Sequence, residues 1–258
     1  VKPEFITAMH EESSAAMAHG FAKAAGRPIA IMAHSTVGLQ HAAMAVYNAW
    51  ADRVPIVLMA GNLVDAAKRR PGVEWYHSAI DPAALLRDIT KWDDQPASLQ
   101  HFSESLVRGY KIATTPPMEP VLIVADADLQ ETGVENESQL SIPKMSPSIP
   151  PQGDANAVRE AARLLAAAQN PVILADRATR TPDGVKLMIQ LAEVAGLAET
   201  LAGAADVLDG AGVAAGAACP PHAASSRIER PITAPNCFFM ASSAMIAALT
   251  RGVHFGRS

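Results

Sequence analysis

Short apolar runs alternate with helically spaced apolar positions through the first sixty residues. Phe5-Ile6-Thr7-Ala8 predicts a short buried strand. After Glu11 and Glu12, Ser13 or Ser14 is the expected cap of a helix whose apolar positions are Ala15, Ala18, Phe21, Ala22 and Ala25. Gly26 and Pro28 stop it. Pro28 to Ala33 is a continuous apolar run, as expected of a strand covered on both faces. His34 to Gly38 predicts a turn, Leu39 to Ala51 a helix, and Pro55 to Gly61 a third strand. Strand, helix, strand, helix, strand in this order predicts βαβ units, hence an α/β fold with a parallel sheet flanked by helices.

Residues 62–94 are irregular, with a helix expected over Pro82 to Asp88. A further helix is predicted from about Ala97 to Thr114 and a buried strand from Pro120 to Ala125. Ile142 to Pro151 is rich in proline and serine and predicts an interdomain linker. A second α/β module follows Asp154, with helices over Ala157 to Ala168 and Asp183 to Ala195 around a strand from Pro171 to Asp176, closed by Gly196. The expected division is a first domain to residue 140, a linker over 141–153, a partial second domain over 154–224, and an unassigned tail from 225 to 258.

Composition narrows the function classes. With 258 residues, 49% of them hydrophobic, the chain can bury a core, which excludes a disordered protein. The net charge of −5 comes without a block of like charges, which points away from nucleic acid and anionic membranes. Lys68-Arg69-Arg70 is read as a solvated loop. Cys219 and Cys237 are too few for a disulfide framework and lack metal-ligand spacing, so a reducing cytoplasm is the expected compartment. No apolar run reaches the roughly 18 residues that span a bilayer. No signal peptide is recognisable, and Val1 in place of methionine leads us to expect that the natural N-terminus lies upstream. No G-x-G-x-x-G follows a predicted strand, which disfavours a nicotinamide-cofactor enzyme.

In an open parallel sheet, ligands bind beyond the carboxyl ends of the strands. Three polar clusters fall there: His10-Glu11-Glu12, His34-Ser35-Thr36-Val37-Gly38, and Gly61-Asn62. Their convergence on one edge predicts a site. Taken alone, Glu11 is also compatible with a helix-start carboxylate set on the helix dipole, and His34 with a histidine filling a polar strand end.

The segment His10-Glu11-Glu12 through Gly20-Phe21-Ala22 resembles the glutamate-to-glycine-aromatic-alanine segment of thiamin-diphosphate enzymes. The turn at His34 to Gly38, the stretch Tyr47 to Pro55 with its Ala51-Asp52 and Pro55, and Gly61-Asn62 extend the likeness over roughly residues 4 to 130. Acetolactate synthase-like and benzoylformate decarboxylase-like proteins are the relatives it resembles. The resemblance implies a pyrimidine-binding domain followed by part of the central domain, acting on a 2-keto acid as carboligase or decarboxylase.

By the same resemblance, Glu11 is the carboxyl that hydrogen-bonds the cofactor's aminopyrimidine ring and so activates it, in surroundings expected to be apolar. His34 is the imidazole that handles protons on the substrate side. Ser35, Gly38 and His41 are expected beside the cofactor, Gly38 by letting the backbone approach the pyrimidine. Thr36-Val37 replace the Gly-Pro of the family's turn, and His41 stands where many relatives carry asparagine. His77-Ser78-Ala79-Ile80-Asp81 departs from the corresponding synthase motif, so substrate handling need not be theirs. No metal ligand is assigned: His19, His101, His222 and His254 lack partners at metal spacing.

The family's Gly-Asp-Gly segment, which holds the cofactor's diphosphate through Mg²⁺, does not occur in the sequence. The expectation is therefore an incomplete chain, or a subunit completed by a separate chain carrying the diphosphate-binding domain; association as a homo-oligomer or with such a partner is expected. A non-catalytic remnant is the alternative. Whether FAD binds is left open.

Overall fold

The computed structural model describes residues 5–72, 74–131, 133–134, 140–175 and 180–195, together with the backbone of 238–240. The chain divides into two compact units, residues 1–149 and 150–258.

The first unit is built on four parallel strands in the order β1-β2-β4-β3: β1 (Ala30–Ala33), β2 (Val57–Asn62), β3 (Trp92–Asp94) and β4 (Val121–Asp126). Ala30 lies opposite Val57, Val57 opposite Val121, and Val121 opposite Trp92, so the four carboxyl ends reach one edge. Four helices accompany the sheet: α1 (Glu11–Ala25), α2 (Thr36–Ala51), α3 (Leu99–Thr114) and the short α4 (Ala127–Glu131). The parallel α/β architecture read from the apolar rhythm is the one observed.

Side-chain size decides how the layers meet. Ala15, Ala18 and Ala22 of α1 share one buried cluster with Ala42, Ala45, Val46 and Ala49 of α2, and these short side chains let the two helices pack closely. Leu39, Leu58, Leu86 and Leu122 complete that core. On α3, a Cβ at Gly109 would stand 3.2 Å from the Trp92 ring, so α3 lies on the sheet at a separation set by glycine. At the far ends of α1 and α2, Asp52 accepts from Lys23 Nζ at 2.7 Å and pairs with His19 Nε2 at 2.9 Å. The Lys23 ammonium holds the Asp52 carboxyl below its ordinary value. Gly26 ends α1 in the left-handed conformation that its lack of a Cβ allows, with φ of 66°.

Several local expectations are corrected. Residues 5–8 form no strand: Phe5 and Ile6 are 75% and 74% exposed, and no described strand pairs with them. The α1 cap is His10 rather than Ser13 or Ser14. Its Nδ1 accepts from Glu12 N–H at 3.3 Å, so the helix starts a turn early and contains Glu11. β1 is covered on one face only: Ile31 and Ala33 are buried, while Ala30 is exposed and Met32 is 62% exposed. Of the expected 34–38 turn, Thr36 to Gly38 belong to α2. Short 3₁₀ turns over Pro82–Leu85 and Arg87–Ile89 replace a single helix. The three-residue β3 was not foreseen.

In the second unit, α5 (Ala155–Ala167) and α6 (Pro182–Val194) pack through Ala161, Leu165 and Leu191. β5 (Val172–Leu174) pairs in parallel with β6 (Phe238–Met240). Asp154 and Thr181 cap the two helices with side-chain oxygens. Gly196, Cys219, Cys237, His222, His254 and the remaining tail lie outside the described residues. Among the described residues, no helix is long and apolar enough to cross a membrane.

Candidate functional site at the carboxyl edge of the sheet

The helix start at His10 fixes where Glu11 points. Glu11 occupies the first turn of α1, partly exposed, and its carboxylate lies over the first turn of α2. Gly38 makes this possible. A Cβ built on Gly38 would come within 2.9 Å of Glu11 Oε1 and 2.9 Å of His34 Cβ, closer than side chains pack. Gly38 is thus the seat of the Glu11 carboxylate and the point where Glu11 and His34 come together.

The Glu11 surroundings are polar, not the apolar setting expected. His41, one turn along α2, brings Nδ1 to 3.5 Å from Glu11 Oε2. His10 stacks on His41 with ring centroids 4.7 Å apart and planes inclined by 18°. The backbone N–H of Glu11 holds its carboxyl below the ordinary carboxylate value, against the opposing effect of burial, and His41 and His10 act in the same direction as the backbone. An early helix start places an acid on the N-terminal amides, and this the apolar spacing of α1 did not disclose.

His10, Glu11 and His41 offer nitrogen and oxygen atoms within 4.8 Å of one another, the spacing of a possible metal cluster. The ring geometry argues otherwise. A metal lies in the plane of each imidazole that binds it, along the nitrogen lone pair. Two nearly parallel stacked rings send those lone pairs side by side rather than to a common point.

Beside this group lies a cavity of about 730 Å³, lined by His34, Ser35, Asn62, Lys68, Arg70 and His77, among others. Ser35 sits at its wall, with its hydroxyl donating to the carbonyl oxygen of His77; Thr36 Oγ1 donates to the same oxygen at 3.4 Å. Asn62 is 4% exposed and grips Ala79 twice, Nδ2 donating to its carbonyl at 3.0 Å and Oδ1 accepting from its N–H at 3.3 Å. The irregular segment after β2 is therefore fastened to the ends of β1 and β2. Asn62→Ala removes both bonds at a buried position, and we expect a loss of about 1–3 kcal/mol. Urea unfolding together with amide exchange across residues 74–80 measures it; unchanged exchange there would contradict the anchoring role.

The basic cluster is committed locally. Lys68 pairs with Asp128 at 2.5 Å, Arg69 donates to the carbonyls of Leu63 and Val64, and Arg70 pairs with Glu74. Asp81 caps a 3₁₀ turn and pairs with Arg87 at 2.8 Å, while Arg87 also reaches Asp93 at 3.1 Å. His19 and His101 pair with Asp52 and Asp94. Of the anticipated site residues, Glu11, His34, Gly38 and His41 form one group and Ser35 joins it to the cavity. The place of His77 on the cavity wall and the anchoring role of Asn62 were not foreseen. Asn62 stood in a recognised polar cluster, but its partner, seventeen residues on, follows no sequence period.

Residues 1–84 match the family described as thiamine pyrophosphate enzyme, N-terminal TPP binding domain. Benzoylformate decarboxylase of Pseudomonas aeruginosa is 33% identical over 119 residues, covering 46% of this chain and 22% of its own length. Acetolactate synthase of Bacillus subtilis is 25% identical over 191 residues, covering 73% of this chain and 32% of its own. The crystal structure of benzoylformate decarboxylase from Polynucleobacter necessarius shares the fold, with a TM-score of 0.58 and 20% identity, over 70% of this chain and 33% of that one. This chain thus spans between about a fifth and a third of the length of these relatives.

Proposed function

We propose that this chain, whose residues 1–84 match the N-terminal TPP binding domain of thiamine pyrophosphate enzymes, belongs to the thiamin-diphosphate-dependent enzyme superfamily and supplies the pyrimidine-binding half of a site that cleaves or forms C–C bonds in 2-keto acids. The observation that carries the reading is the seat of the Glu11 carboxylate on Gly38, beside His34.

Glu11 is the residue we assign to the cofactor's pyrimidine ring nitrogen, to which its protonated carboxyl would donate a hydrogen bond and with which it would share that proton. Bound there, thiamin diphosphate supplies a carbon nucleophile for the keto carbonyl. The cover of a ring and a second domain would exclude water from Glu11. That raises a carboxyl which the free chain holds low, toward sharing a proton at neutral pH. Gly38 keeps the backbone low under the ring. His41 lies against Glu11 and flanks the same position, and Ser35 holds the neighbouring wall. His34 faces the cavity and is assigned the protons on the substrate side.

The donor set suits the pyrimidine end of the cofactor: a seated carboxylate, an adjacent imidazole, and glycine backbone open to close approach. It does not suit Mg²⁺, which prefers a nearly octahedral set of oxygens. The cluster offered among the described residues is two imidazoles and one carboxylate. The diphosphate and its Mg²⁺ are therefore assigned to a domain outside this sequence, on a longer form of the chain or in a partner, and we propose association on the ground of that division of the site. Expressed with such a domain, joined or added as a second chain, this protein should release CO₂ from a 2-keto acid when thiamin diphosphate and Mg²⁺ are present. A folded, cofactor-loaded assembly that leaves pyruvate, phenylglyoxylate and longer 2-keto acids intact contradicts the proposal.

A further inference from the structure

We propose that His77 is a second substrate-facing imidazole, which with His34 forms a paired clamp for the anionic end of a 2-keto acid. The inference rests on the preceding reading for the class of substrate. The juxtaposition itself is independent of any cofactor.

The two rings meet edge to face, with centroids 4.8 Å apart and planes inclined by 75°. They come from segments separated by more than forty residues, and both line the same cavity. Both rings are carried on anchored backbone. His34 has its Cβ against Gly38. His77 is fixed through its backbone, because Ser35 and Thr36 both donate to its carbonyl and Asn62 holds Ala79 two residues on. Four anchoring bonds on a three-residue stretch fix the backbone that carries the His77 ring, so less remains to be ordered on binding.

Charge selects the ligand. The cations at the cavity wall are already neutralised, Lys68 by Asp128 and Arg70 by Glu74. Among the described residues, neither His34 nor His77 has an acidic partner. Their ring N–H groups are therefore donors not committed to an acid, open to a carboxylate or a polarised carbonyl oxygen. Two rings set nearly at right angles direct their N–H groups along different lines, which suits the two oxygen-bearing carbons of a 2-keto acid better than a single point charge.

The test is ¹⁵N-detected histidine ring spectroscopy of this chain during titration with pyruvate and with phenylglyoxylate, with methyl pyruvate as the uncharged comparison. The expected result is a concerted, saturable shift of the His34 and His77 ring signals by both keto acids, with His101 unmoved and methyl pyruvate much weaker. His77→Gln and His77→Phe should each weaken keto-acid binding by about tenfold, the loss of one charge-assisted hydrogen bond. The phenylalanine variant keeps a ring against His34, so a purely structural role predicts that it binds normally. Normal binding by folded His77→Phe, or shifts confined to His34, overturns the proposal. Loss of thiamin diphosphate binding in Glu11→Gln with the keto-acid shifts intact would strike the cofactor reading alone.

Discussion

Glu11→Gln in an active assembly should lower 2-keto acid turnover by about 10²- to 10⁴-fold, the range for a positioned acid–base group, while Glu12→Gln should change it little. The two glutamates are adjacent in sequence and both lie in the first turn of α1, so a dipole or capping contribution would be similar for both. Their surroundings differ. Glu11 rests on Gly38 with His41 at 3.5 Å, whereas the Glu12 side chain is exposed. Glutamine preserves the shape of Glu11 and removes its capacity to hold a proton in common with a ring nitrogen. Steady-state rates of the two variants, with melting curves to show that both fold, decide the matter. Equal losses, or none from either, would remove Glu11 from the mechanism.

Gly38→Ala is expected to be nearly as damaging for a different reason. In an exposed helix this change stabilises by about 1 kcal/mol. Here the added methyl group would sit 2.9 Å from both Glu11 Oε1 and His34 Cβ. The carboxylate can rotate away, but His34 Cβ is tied directly to the backbone, so relief moves α2 or the β1–α2 turn. A displacement near 1 Å at reacting groups costs on the order of 10²-fold in rate. The expected result is a folded protein with turnover reduced by about that factor and weakened binding of thiamin diphosphate. Full activity in the alanine variant would show that Gly38 is not the seat of the site.

Period and punctuation carried most of the first unit's architecture into the sequence. Apolar runs at 28–33, 55–61 and 120–125 are too continuous for amphipathic helices, and Gly26 marks the α1 terminus that the left-handed residue forms. Boundaries set by a single polar contact were not legible. His10 rather than a serine caps α1 because its ring nitrogen reaches the Glu12 amide. Phe5-Ile6 has the composition of a strand, yet a strand also needs a neighbour, and none of the described strands pairs with it. Trp92–Asp94 is too short for a period and becomes β3 by pairing with Val121–Ile123.

The site divides in the same way. That Glu11, His34 and Gly38 come together was legible because each falls at the carboxyl end of a predicted strand or in the turn after it. The polar character of the Glu11 pocket was not, since His41 reaches it from another helix. His77 arrives through bonds to Ser35, Thr36 and, by way of Ala79, Asn62. Only the folded chain brings these partners within reach.

The most direct measurement is calorimetric titration of this chain with thiamin diphosphate, with and without Mg²⁺, for the unaltered protein and for Glu11→Gln. Half a site offers a few neutral hydrogen bonds, each contributing about 0.5–1.5 kcal/mol net, and ordering the cofactor offsets much of that. The predicted result is weak binding that is indifferent to Mg²⁺ and disappears in the glutamine variant. Tight, Mg²⁺-dependent binding that persists without the Glu11 carboxylate would contradict the assignment of this chain as the pyrimidine half of the site.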